Sequence, residues 1–162
     1  MPSFDDLVPV MERVQIAVRR VIPNTGCELA SALLARELRE AGSPAAFVRG
    51  HYVAPGDSIG DHNLHAWVRL HDLVLDPTRD QFSESPFTEA YRGEYVSDLD
   101  GPPPDLDTHI YTLLNLQLPY QREAVLALVA DFRLDPLELD KHDAIGWRLR
   151  PAVAACQDSC GP

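Results

Sequence analysis

The chain has 162 residues, 45% of them hydrophobic, which is about one domain's worth of sequence with enough apolar surface for a core. Its 14 Lys and Arg against 25 Asp and Glu leave a net charge of −11 without any basic cluster of the kind that neutralises phosphate, which argues against nucleic acid and anionic membrane surfaces as partners. No apolar run approaches the roughly 20 residues of a membrane span, and the N-terminus lacks the basic-then-apolar layout of a signal peptide, so the expected location is the cytoplasm.

In chain order, Leu7, Val10, Met11, Val14, Val18 and Val21 recur at spacings of three and four, which predicts an amphipathic helix entered through Asp5 and Asp6. Pro23 ends it, and Asn24-Thr25-Gly26 reads as a turn. A second helix is expected from about Cys27, with Ala30, Leu33, Leu34, Leu38 and Ala41 on its core face and Gly42 with Ser43-Pro44 as its stop signal. Residues 45–53 are β-compatible up to the Pro55-Gly56 turn. Residues 65–70 and 73–75 are two more apolar runs, separated by His71-Asp72, the pattern of a tight hairpin. The expected result is an antiparallel sheet packed on the second helix.

Residues 72–107 hold ten acidic and two basic residues, Arg79 and Arg92, with Pro102-Pro103-Pro104 near the end, and are expected to be largely irregular surface chain. Residues 111–118 read as a further strand. Residues 121–132 read as a third helix, with Val125, Leu128, Val129 and Phe132 on one face. The rest is weakly periodic, with a mobile tail expected from about 151. No repeat and no second domain boundary is found, so residues 1–162 are read as a single domain.

Three residues carry the chemistry by type and inferred position. Cys27 starts a helix, where roughly half a positive charge lowers a thiol's pKa toward neutrality and makes it a candidate nucleophile. His65 opens a strand and Asp76 ends the next one, so a hairpin would return the carboxylate to the imidazole it must orient. The backbone amide of Cys27 is a natural oxyanion donor, because first-turn amides lack intrahelical acceptors. Asn24, Gln15 and Gln81 are candidates for a second donor. Trp67 falls on the same strand face as His65 and could shield it, and His62 lies in a Gly-Asp-rich loop that could rim a cleft.

Taken alone, each residue has a plainer reading: Cys27 as a small core side chain, His65 as a satisfied core histidine, Asp76 as a turn residue before Pro77-Thr78. His51, His62, His65 and His71 lack the Cys or carboxylate spacing of a metal site, so no metal and no cofactor is expected. Three cysteines are too few and too unevenly placed for a disulfide framework, since Cys27 is far from Cys156 and Cys160, and at least one thiol should be free.

Cys27 with Ala30-Ser31-Ala32-Leu33-Leu34, then 42–50, then His65-Ala66-Trp67-Val68 and Leu75-Asp76-Pro77-Thr78 resemble the transglutaminase-like branch of the papain-like thiol enzymes. The resemblance covers residues 24–82, and His-Ala-Trp-Val with Asp-Pro-Thr are its most specific pieces. Glu28 stands where relatives usually carry an aromatic or small residue, and Leu73-Val74 replaces their Gly-Trp. The resemblance implies an α+β fold in which the helix carrying the nucleophile packs on an antiparallel sheet, with Cys27, His65 and Asp76 as the triad. It also implies acyl transfer through a thioester on Cys27, as in a cysteine peptidase, protein deamidase or amide hydrolase, with a protein, peptide or small amide as substrate. The alternatives are an inactive peptide- or partner-binding module on the same scaffold, and an acyltransferase resembling the arylamine N-acetyltransferases.

Overall fold

The computed structural model describes residues 1–24, 26–58, 64–97 and 105–139. His62, Cys156, Cys160, the triproline run and the tail from 151 therefore lie outside the described residues. Among the described residues the protein is a mixed α+β structure with helices at 4–21, 27–40, 106–117 and 122–131, a further helical segment at 136–139, one 3-10 turn and a four-stranded antiparallel sheet.

Helix α1, Phe4–Val21, begins at a capping box in which the Ser3 hydroxyl accepts from the Asp6 amide and the Asp6 carboxylate accepts from the Ser3 amide. The predicted stripe is buried except for Val10, which is partly exposed. The chain leaves α1 at Val21 and turns through Gly26, whose φ of 107° only glycine adopts without strain.

Helix α2, Cys27–Glu40, then runs through the middle of the molecule. Leu29, Ala30, Ala32, Leu33, Leu34 and Ala35 are all fully buried, so the helix is enclosed on nearly every side rather than along one stripe. It lies between the sheet on one face and α1 and α3 on the others. Ala41, expected on the core face, is instead the exposed C-cap, because the helix stops one residue short of it.

Strands β1 (Ala46–Val53), β2 (Leu64–Leu70), β3 (Leu73–Leu75) and β4 (Glu94–Ser97) form a sheet in the order β3-β2-β1-β4. The predicted hairpin is present: Leu70 pairs with Leu73 across the two-residue turn His71-Asp72, and His71 takes the positive φ such a turn demands. Phe47, Ala66, Val68, Leu70 and Leu75 belong to the helix-side core. The alternate residues His65, Trp67, Tyr52 and Tyr95 line the opposite face of the sheet, where strand periodicity puts them.

One expectation is overturned, and another is refined by an added turn and strand. Residues 111–118 are not a strand but part of helix α3, Leu106–Gln117. Asp105 caps it by accepting from the Asp107 amide, and Leu106, Ile110, Leu113 and Leu114 recur at helical spacing and are buried against α2. The acidic stretch is irregular over much of its described length, as expected, but it also supplies the 3-10 turn Arg79–Phe82 with a fully buried Arg79, and β4, which pairs along β1. A four-residue strand is too short to leave a periodic signal. Helix α4, Arg122–Asp131, is the predicted later helix, with Val125, Leu128, Val129 and the following Phe132 buried. No described helix is long and apolar enough to cross a membrane.

Candidate active site

Which end of α2 meets which end of the sheet follows from two anchors. Arg39 near the end of the helix donates to the carbonyl of Ala45, just before β1, while Glu28 near its start is paired with Arg49 midway along β1. The helix therefore runs antiparallel to β1 and parallel to β2. Arg49 pairs across the sheet with Ala66, and Ser31 donates to the Ala66 carbonyl at 3.0 Å. Cys27, one turn before Ser31 on the same helix, thus lies toward the end of the sheet where His65 begins β2, but on the helix side of the sheet, whereas His65 projects from the opposite face.

His65 and Asp76 meet as predicted. The imidazole Nε2 is 2.7 Å from Asp76 Oδ2, and both side chains are fully buried. Register explains the meeting: β3 pairs Leu75 with Val68, so the next residue, Asp76, emerges on the Trp67 side of the ladder, which is also the His65 side. The carboxylate is saturated. Oδ1 accepts from the Thr78 amide at 3.0 Å and the Thr78 hydroxyl at 3.1 Å, and Oδ2 accepts from His65 and from the Tyr95 hydroxyl at 2.7 Å. Burial pushes the Asp76 carboxyl up, but the charge and hydrogen bond of His65, the Tyr95 hydroxyl and the Arg79 charge outweigh it, and the pKa lies below the ordinary carboxylate value. Asp76 is therefore an anion at neutral pH. Its anionic Oδ2 requires a proton on His65 Nε2, so in the neutral ring Nδ1 carries the lone pair and is the base position.

That base position is occupied in this structure. Gln81 Nε2 stands 3.2 Å from His65 Nδ1 and 3.2 Å from the Thr78 hydroxyl, so both of its N–H groups are engaged, while its buried Oε1 has no partner. Cys27 is not among the hydrogen-bond partners of His65, whose two nitrogens face Asp76 and Gln81. The Cys27 side chain is fully buried at the start of α2 and is disulfide-bonded. One disulfide among three cysteines is compatible with the expected free thiol, but it means that the sulfur of Cys27 is not the free thiol in this structure.

The other candidates separate. Trp67 is buried and stacks beside His65 at 6.3 Å between ring centroids, and Phe82 meets the same imidazole edge-on at 4.8 Å. Gln15 donates one amide N–H to the Pro77 carbonyl at 2.9 Å, which braces the Asp-Pro-Thr corner. Asn24 is exposed. Gln81 belongs to the imidazole rather than to an oxyanion.

Sequence reasoning missed Tyr95 and Arg79. Arg79 Nε donates to the Tyr95 hydroxyl at 2.9 Å, and its Nη1 donates to the carbonyls of Ser85 and Thr88 at 3.2 and 2.9 Å. Burial and the Asp76 charge push the Tyr95 phenol far up, so it stays protonated. No spacing links residues 76 and 95; only the pairing of Tyr95 with Tyr52 across β4 and β1 brings them together. Beside Cys27, Glu28 is nearly buried, with Arg49 on both carboxylate oxygens and His109 Nε2 at 2.7 Å. Among the described residues no group of three or more His, Cys, Asp or Glu side chains is arranged to hold a metal ion. Comparison with family models, with curated proteins and with solved structures found no match to this chain.

Proposed function

We propose that the protein is a thiol-dependent acyl-transfer enzyme of transglutaminase-like, papain-like architecture, with Cys27 as nucleophile, His65 as base and Asp76 as its orienting carboxylate. The observation that carries this reading is the buried His65–Asp76 pair, with Nδ1 as its basic nitrogen, at the sheet end reached by the first turn of α2. A buried imidazole locked in one tautomer by a saturated carboxylate has the form of a general base.

In the working state an external dithiol has reduced the Cys27 disulfide by thiol–disulfide exchange and carries away the oxidising equivalents as its own disulfide, and His65 Nδ1 leaves Gln81 and reaches the Cys27 thiol past the end of β2. The thiolate attacks an amide carbonyl, its proton passes to Nδ1, and the S–C bond forms. As the C–N bond breaks, Nδ1–H gives that proton to the departing amine, leaving an acyl-thioester and neutral His65. Water then adds to the acyl carbon as His65 Nδ1 takes its proton, the S–C bond breaks, and that proton returns to the Cys27 sulfur as the acid is released, the outcome for a peptidase, deamidase or amide hydrolase. First-turn amides of α2 supply oxyanion stabilisation.

The test is alkylation of the reduced protein by iodoacetamide at pH 6.5, read by intact mass. Cys27 is expected to label faster than an ordinary thiol, and about tenfold or more slowly in His65→Ala, within the range of general-base effects. Incubation with Gln-containing and cleavable peptides should then leave an acyl adduct on Cys27. Labelling of Cys27 at an ordinary thiol's rate, indifferent to His65, would overturn the reading.

A second reading, a binding module on the same scaffold, is favoured by one specific observation: Cys27 and His65 are both fully buried and Gln81 holds Nδ1. Under it the reduced protein binds peptide without a covalent adduct.

A further inference from the structure

We propose that Tyr95, held by Arg79, is a positioning residue for the His65–Asp76 pair: it fixes the imidazole tautomer and sets the pH at which His65 takes up its proton. The proposal rests on the thiol-enzyme reading above and deepens it.

The direction of every hydrogen bond in the chain is forced. A guanidinium has no acceptor, so Arg79 Nε–H donates to the Tyr95 oxygen. The Tyr95 proton must then point elsewhere, and Asp76 Oδ2, 2.7 Å away, accepts it. The same Oδ2 faces His65 Nε2 at 2.7 Å and can only accept there too. Arg79 thus polarises Tyr95, Tyr95 draws charge from the oxygen that faces His65, and the proton on Nε2 is locked in place. The array is rigid as well as directional. The Arg79 guanidinium is anchored by two backbone carbonyls and lies 4.9 Å from the Tyr91 ring centre, while the Tyr95 ring packs against Tyr52, Trp67 and Tyr91.

Among the described residues the chargeable groups around His65 are few. Asp76 approaches from the end of β3, Arg79 from the 3-10 turn and Tyr95 from β4, with Gln81 the neutral partner of Nδ1. On the helix side of the sheet stands the Glu28–Arg49–His109 cluster of α2, β1 and α3, beside the disulfide-bonded and uncharged Cys27, and His51 of β1 lies opposite Leu64. Only Tyr95 shares with His65 the same carboxylate oxygen. Removing its hydroxyl returns charge to Oδ2 and strengthens that oxygen's hold on an imidazolium, so proton uptake by His65 must move to higher pH.

The experiment is an ¹⁵N NMR titration of the full chain carrying labelled histidine. Neutral His65 is expected as the Nε2–H tautomer. In Tyr95→Phe its titration midpoint should rise by about one pH unit, the size expected when a hydrogen bond to a buried charge is lost. Placing 3-fluorotyrosine at position 95 keeps ring and hydroxyl but makes a stronger donor, so it should fold even if Tyr95→Phe does not, and its midpoint should fall. A role confined to packing would lower the urea midpoint of Tyr95→Phe and leave the His65 titration unmoved in both proteins. That result, or an Nδ1–H tautomer, overturns the proposal. Neither readout needs Cys27, so failure of the thiol-enzyme reading would show separately, in alkylation indifferent to His65.

Discussion

At the scale of single residues, the site is built around one saturated carboxylate. Asp76 has four donors for its two oxygens, and none of them is water-exposed chain that could be lost cheaply. Asp76→Asn would put an N–H where the carboxylate accepts and leave Tyr95 and Arg79 facing a neutral group. We expect a loss of about 3 kcal/mol or more in urea unfolding, the range for breaking a buried ion pair from one side. The pH dependence has a definite sign. The folded pKa of Asp76 lies below its unfolded value of about 3.9, so its stabilisation is complete above that pH and disappears as pH falls through the folded value. Urea midpoints measured from pH 7 downward should therefore hold until about pH 4 and then drop, and Asp76→Asn should show a shallower drop. An identical acid limb in the two proteins would show that other carboxylates govern acid unfolding.

At the scale of elements, the short strand β4 matters because it carries Tyr95 into the site, and Gly50 is what lets it approach. A Cβ on Gly50 would lie 2.0 Å from the Val96 carbonyl oxygen and 2.8 Å from Trp67, closer than atoms can pack. Gly50→Ala should push β4 off the sheet edge and break the Tyr95–Asp76 contact, at a cost of about 1–3 kcal/mol in the urea midpoint, the usual range for overpacking. Loss of amide-exchange protection confined to residues 94–97 would locate the damage, and protection equal to wild type there would refute the account. Helix α3 makes the complementary case. Its sequence, Leu-Asp-Thr-His-Ile-Tyr-Thr-Leu-Leu-Asn-Leu-Gln, holds aromatic and β-branched residues that suit a strand, yet the cap at Asp105 and burial of Ile110, Leu113 and Leu114 against α2 decide for a helix. Leu113→Ala should cost about 2–5 kcal/mol, as for a fully buried leucine, whereas a strand with one exposed face at 111–118 would predict far less.

For the whole molecule, the net charge of −11 sets the field in which any substrate arrives. Like charges repel within the compact state, and salt screens them over a length of about 10 Å at 0.1 M. Raising NaCl from low concentration to about 0.5 M should therefore raise the melting temperature. A melting temperature that falls with salt would mean that surface pairs such as Arg19–Asp80 and Arg13–Glu37 outweigh the repulsion. The same field would favour a basic peptide over an acidic one if the acyl-transfer reading holds.

The features legible in sequence were those with local causes. Helices α1 and α2, the hairpin around His71-Asp72, the placement of Cys27 at a helix start and of His65 and Trp67 on one strand face follow from periodicity, glycine and proline punctuation and strand alternation, each set within a few residues. The closeness of His65 and Asp76 could also be read there, because a two-residue turn fixes its own register. Helix α3, strand β4, the Arg79–Tyr95–Asp76 array and Gln81 against Nδ1 depend on groups brought together only when distant elements pack. Their energies come from burial and pairing across the fold, and no neighbour in the chain announces them.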